Sequence, residues 1–86
     1  MTALTEITYG QLDRALKALG FTRRYVAKDP PAVRYEHPRS GALISMPPFE
    51  DDEKVIDYHL SGARATLEVF GIADPFAFAT ELHKAG

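Results

Sequence analysis

Apolar residues return along this 86-residue chain with two different periods. Leu12, Ala15, Leu16 and Leu19 recur at i, i+3, i+4 and i+7, which places them on one face of a helix. Ahead of them, Thr8-Tyr9-Gly10-Gln11 has the spacing of a capping box, in which Thr8 and Gln11 each satisfy a free N–H at the other's position. Arg14 and Lys17 fall on other faces, toward water, and Gly20 stands where a left-handed C-cap glycine belongs. The pattern predicts a helix over 8–19.

The period then shortens, and three stretches of strand character follow. Phe21–Ala27 ends at Lys28-Asp29-Pro30-Pro31, which cannot continue a ladder. Val33–His37 puts Val33, Tyr35 and His37 on one face and Arg34 and Glu36 on the other. Pro38-Arg39-Ser40-Gly41 reads as a tight turn into Ala42–Met46, where Ala42, Ile44 and Met46 face the helices before Pro47-Pro48 stops the strand. Connections this short imply an antiparallel meander. Helical spacing resumes from roughly His59 to Phe70, with Leu60, Ala63, Leu67 and Phe70 on one face and Gly71 closing the helix. Asp74 caps a last helix, about 74–84, with Pro75 at its first position and Phe78 and Leu82 on its buried side. The expected order is α-β-β-β-α-α in one α+β domain spanning 1–86, with a three-stranded antiparallel sheet.

Composition narrows the chemistry. At 45% hydrophobic and 26% charged, the chain has the make-up of a globular protein rather than a disordered one. The absence of cysteine excludes disulfides, thiolate zinc sites, iron–sulfur clusters and cysteine nucleophiles, and fits a reducing compartment. No apolar run approaches the roughly 20 residues of a membrane span, and MTALTEITYGQ lacks a basic-then-apolar signal pattern. The expectation is a cytoplasmic protein without a membrane partner or a cofactor.

The formal net charge of −2 conceals an asymmetry. Residues 1–46 carry seven basic and four acidic side chains, whereas residues 47–86 carry three basic and eight acidic ones. Such a split marks either a phosphate-facing half or an ordinary surface of uneven sign. Arg23 and Arg24 are adjacent, so in a strand they point to opposite faces and only one can join Arg34 on the open face. That face, edged by Lys17 and Lys28, is the candidate phosphate-binding surface, with Arg24, Arg34, Arg39 and Lys28 as its cations. Glu50-Asp51-Asp52-Glu53 offers hard ligands for a divalent ion, but consecutive acids cannot converge on one metal and the spacing of a calcium loop is absent. It reads as a solvated linker. Tyr9, Tyr25, Tyr35 and Tyr58 are either base-stacking platforms or core and core rim.

Three histidines are present, and no pair has the helical i, i+4 spacing of a metal site. His37 is the weak catalytic candidate: Arg34 and Arg39 would hold a phosphate while its ring moves a proton, the alternative being a histidine that caps the turn or packs on Tyr35. His59 suits ordering the start of the second helix, and His83 sits in the last turn of the last, where a cation favours the helix dipole.

Taken in order, several segments resemble the HicA toxin family of small messenger-RNA-cleaving proteins, the YcfA-like group. They are the helix exit Leu16-Lys17-Ala18-Leu19-Gly20-Phe21, then Tyr35-Glu36-His37-Pro38-Arg39-Ser40-Gly41, Ile44-Ser45-Met46-Pro47, and Leu60 through Leu67 to Gly71-Ile72. The resemblance covers about 8–72 and implies the double-stranded-RNA-binding type of fold, with the final helix as an addition. Active members carry a Gly-Ser-His run entering the second strand, whose histidine is taken to be catalytic. Aligning on Tyr35–Gly41 puts Pro30-Pro31-Ala32 there, and alanine can neither give nor take a proton. The resemblance therefore implies a divergent member without ribonuclease activity that binds RNA or an antitoxin-type protein partner. A toxin working through a non-standard histidine, and an interaction module unrelated to RNA, are the alternatives.

Overall fold

The computed structural model describes residues 7–86. The N-terminal residues weighed for a signal pattern lie largely outside that range. Helix α1 spans Tyr9–Ala18, followed by strands β1 (Thr22–Val26), β2 (Ala32–His37) and β3 (Ala42–Met46), then helices α2 (Asp57–Val69) and α3 (Pro75–Ala85). The strands form one antiparallel sheet in the order β1-β2-β3, so the α+β meander expected from the pattern is present.

Helix α1 starts with the reciprocal bonds that its sequence specifies. The Gln11 N–H donates to Thr8 Oγ1 at 3.2 Å, and the Thr8 N–H donates to Gln11 Oε1 at 3.3 Å. The acidic stretch 50–53 supplies the rest of the cap. Its side chains are exposed, but the Glu53 carbonyl accepts from the Tyr9 N–H at 2.8 Å and the Asp51 carbonyl from the Gly10 N–H at 2.9 Å. Those are two of the orphan donors every helix N-terminus leaves, and a cluster of carboxylates beside them suits the positive end of the dipole. A Cβ at Gly10 would lie 3.0 Å from the Asp51 carbonyl oxygen, which leaves room there only for glycine without a shift of backbone. The linker is thus a capping loop.

The sheet presents alternate residues to the helices. Val33, Tyr35 and His37 of β2 and Ala42, Ile44 and Met46 of β3 are all buried. They share one core with Tyr9, Leu12, Ala15 and Leu16 of α1, Ala63 and Leu67 of α2, and Phe78 and Leu82 of α3. Strand β1 is shorter than the 21–27 expected. Phe21 is buried and its N–H donates to the Leu16 carbonyl at 3.0 Å, so it belongs to the helix exit, and Ala27 falls in the loop that leads to a cis Asp29–Pro30 bond. Gly20 turns the chain there with φ +102°, and a Cβ on it would sit 3.0 Å from His37 Nε2.

Helix α2 begins two residues earlier than its spacing suggests, because Ile56 at its N-cap makes no side-chain hydrogen bond and leaves no mark in the sequence. Phe70, expected on the buried stripe, is the C-cap residue and is half-exposed, since the helix ends before its ring can turn inward. Helix α3 starts as read: Asp74 Oδ1 accepts from the Ala77 N–H at 2.7 Å, with Pro75 in the first turn. It packs chiefly on α1. Gln11 Nε2 donates to the Leu82 carbonyl, and Arg14, exposed as expected, donates through Nε and Nη2 to the Ala85 carbonyl at 3.1 and 2.9 Å. A cation at that helix end is favoured by its dipole. Among the described residues no helix is long and apolar enough to cross a membrane, and no cluster of three metal-ligating side chains occurs.

Candidate nucleic-acid interface

Strand register decides which of the predicted cations can act together. Arg24 pairs with Arg34, and Arg34 with Ser45, in one row across the three strands. The neighbouring row sets Arg23 opposite Tyr35, whose side chain is buried, so Arg23 points inward and Arg24 outward. The open face, the side without helices, therefore carries Arg24 and Arg34 side by side. Glu36 lies on the same face, with Oε2 2.8 Å from Arg24 Nη2 and 4.0 Å from Arg34 Nη1.

At the β1 end of this face the surface dips into a shallow cleft of about 380 Å³ lined by Arg24, Tyr25, Val26, Ala27, Lys28 and Arg34. Three of the four predicted phosphate-binding residues thus meet around one depression. Tyr25 also lines it and is 59% exposed, but it pairs with the buried Val33, so its ring leaves β1 on the helix side. With Glu36 counted, the local excess is two positive charges. Arg39 does not join them. It lies in the turn between β2 and β3, where it lines a second cleft with Leu19, His37, Ser40 and Phe70, a strand length of about 17 Å from Ala32.

His37 is held on the inner face, whereas Arg34 is on the open one, so the expected grouping of His37 with Arg34 and Arg39 is not formed. Both ring nitrogens are occupied. The Ser40 N–H donates to Nδ1 at 3.2 Å, which makes Nδ1 an acceptor, and the Ser40 hydroxyl meets it at 2.8 Å. The network accordingly assigns the proton to Nε2, which donates to the Leu19 carbonyl at 3.1 Å. Ser40 Oγ in turn accepts from the Ala42 N–H, and the Phe21 ring packs on the imidazole at 4.9 Å between centroids. The result ties the β2–β3 turn to the α1 exit. His59 Nδ1 shares a 2.7 Å hydrogen bond with the Tyr9 hydroxyl below the sheet, and His83 is exposed on α3. Ala32, the position that the HicA resemblance aligns with a catalytic histidine, pairs with Val26 at the start of β2, beside the cationic cleft.

Two tyrosines weighed as stacking platforms are unavailable. Tyr9 is buried and stacks on Phe49 at 4.7 Å, and Tyr35 is fully buried. The Tyr35 hydroxyl donates to Asp13 Oδ1 at 2.7 Å, and the same carboxylate takes Lys17 at 3.1 Å and Arg23 at 3.2 Å. Burial alone would raise the Asp13 pKa, but the Tyr35 hydroxyl, Lys17 and Arg23 together hold it below the usual carboxylate value. Burial and the Asp13 charge push Tyr35 well above the ordinary tyrosine range. The Arg23 guanidinium also lies 5.3 Å over the Phe49 ring. The sequence does not reveal this cluster: there Asp13 is only an acid four residues before Lys17, the mark of a surface ion pair. It anchors β1 to α1 and leaves Arg24, on the other face, to solvent.

Comparison of the chain with family models, with curated proteins and with solved structures finds no match.

Proposed function

We propose that the chain is a non-cleaving binding domain of HicA type, with the double-stranded-RNA-binding kind of fold, whose open face takes the RNA backbone. The observation that carries this reading is the cleft at the β1 edge, where Arg24, Lys28 and Arg34 converge. Guanidinium groups side by side suit phosphate oxygens. The HicA resemblance is supported by the order of elements, and its implied catalytic position, Ala32, borders the cleft with a side chain that cannot move a proton. No described histidine replaces it: His37 is on the inner face with both nitrogens bonded, His59 is tied to Tyr9, and His83 lies in the last turn of α3, on the helical side of the sheet. Cleavage through a ribose 2′-hydroxyl needs such a group within hydrogen-bond reach. The face therefore binds and does not cut.

Glu36 favours a second reading. By engaging Arg24 it gives the face mixed charge, which also suits an antitoxin-type protein partner. Anisotropy with labelled single-stranded and duplex RNA, run on the wild type and on Arg24→Ala/Arg34→Ala, separates the two. RNA binding is expected to weaken roughly tenfold or more in the double variant, as two charge-assisted contacts are lost. The same samples on a denaturing gel are expected to hold intact RNA. Unchanged affinity in the double variant removes the proposed surface, and fragments that accumulate with the purified protein remove the non-cleaving assignment.

A further inference from the structure

At the other edge of the sheet, β3 has no neighbour among the described residues, so one side of its backbone keeps unpaired N–H and C=O groups. Its sequence, Ala42-Leu43-Ile44-Ser45-Met46, contains no charge, no proline and no glycine. Proteins ordinarily protect such an edge with lysine, proline or a bulge, because an unguarded one pairs with another strand. Here the edge is bare.

Beneath it runs a groove of about 470 Å³ between β3 and α2, lined by 43–46 along the strand, whose Leu43 and Ser45 side chains turn to the open face, and by Tyr58, His59, Gly62 and Thr66 on the helix. At 100° per residue, Tyr58, Gly62, Thr66 and Val69 fall on one flank of α2. That flank is uncharged, and Tyr58 and Val69 on it are 82% and 79% exposed. The charges of α2 that follow its first turn, Arg64 and Glu68, line clefts on the α3 side instead. Strand edge and helix flank thus form one continuous uncharged surface.

We propose that this surface is the seat of a second copy of the same chain, with β3 paired antiparallel to the β3 of its partner about a twofold axis. Charge selects the occupant. An RNA or a charged peptide finds no complement on β3 or on this flank of α2, whereas the chain itself supplies an uncharged strand of matching length with a free edge. The other free edge, β1, brings Arg23 and Arg24 and matches nothing here. A twofold axis through the middle of β3 makes the contact isologous. It sets Ile44 beside its own mate and Leu43 beside Ser45, and extends the sheet to six strands. The axis is perpendicular to the sheet, so both helical layers stay on one side and the two α2 flanks approach beneath the joined strands. Gly62 has nothing within 4 Å of its Cβ position, which leaves the space that close helix approach requires.

The test is the solution mass by light scattering and analytical ultracentrifugation. The wild type is expected at twice the 9.5 kDa of one chain. Gly62→Arg fills open space without touching the core, and Leu43→Lys puts a charge beside the bare edge on a side chain 56% exposed. Each is expected to return the protein to the single-chain mass with an unchanged circular dichroism spectrum and a melting temperature that no longer rises with protein concentration. A wild type that stays at single-chain mass up to millimolar concentration overturns the proposal and leaves the edge to a strand of some other protein. A double-mass species that survives in both variants overturns it as well, by locating the contact elsewhere.

Discussion

Along β1 all side chains but Val26 are polar or aromatic and four of the five residues lie in solvent, whereas along β3 buried and exposed residues alternate strictly and none is charged. The two strands flank the same β2 and have the same length, yet they are attached to the molecule by different physics. Strand β3 is held by apolar burial of Ala42, Ile44 and Met46 under α2. Strand β1 buries almost nothing of its own and is anchored by one inward arginine, Arg23, on a carboxylate that α1 and Tyr35 hold in place. The comparison shows how a small sheet gains two different surfaces: a polar anchor frees the outer side chains of β1 to be cationic, while an apolar anchor leaves β3 an uncharged rim. The proposed RNA face and the proposed self-contact follow from that division.

Several substitutions probe the difference. Ile44→Ala opens a cavity under β3 and is expected to cost the most, about 3 kcal/mol by chemical denaturation. Its local signature is faster hydrogen exchange in β3 than in β1. Asp13→Asn removes the charge that holds Arg23 and is expected to cost about 2 kcal/mol, with faster exchange concentrated in β1. Equal loosening of both strands by each variant would show that the two edges share one anchor.

Acid makes the same distinction without mutation. Because the folded Asp13 pKa lies below its unfolded value of 3.8, its contribution is present above that pH and disappears as pH falls through the lower folded value. Exchange measured from pH 5 downward is expected to rise first in β1 once the intrinsic pH dependence is removed. Gly20→Ala is expected to cost about 1–2 kcal/mol, since its φ is +102° and the new Cβ would press on His37 Nε2. Arg24→Ala is the smallest. Its ion pair with Glu36 is largely exposed, so stability should change by less than about 0.5 kcal/mol while RNA affinity falls.

Much of this architecture is legible in the residues. The capping box at Thr8, the limits of β3 and the Asp74-Pro75 start of α3 rest on local chemistry and are read directly. Opposite-face placement of Arg23 and Arg24 follows from strand geometry alone, but which of them joins Arg34 is set by the register of β1 on β2. What escapes the sequence depends on backbone atoms or on distant partners. The acidic stretch caps α1 through the carbonyls of Asp51 and Glu53, which any residue possesses. Asp13 is buried because Tyr35, 22 positions away, reaches it. Tyr9 is lost as a stacking platform because Phe49 already occupies its face. At the site, the grouping of Arg24, Lys28 and Arg34 was readable, but the exclusion of Arg39 and of His37 required the turn to be seen.

The salt dependence of RNA affinity distinguishes a phosphate-binding face from an ordinary cationic surface. If Arg24, Lys28 and Arg34 each neutralise one phosphate of a single strand, log K should fall with log salt at a slope of about −2. That slope is expected for the wild type, with a shallower one for Arg24→Ala/Arg34→Ala and full-length RNA throughout. Absence of binding at low salt, or an affinity indifferent to salt, would contradict it.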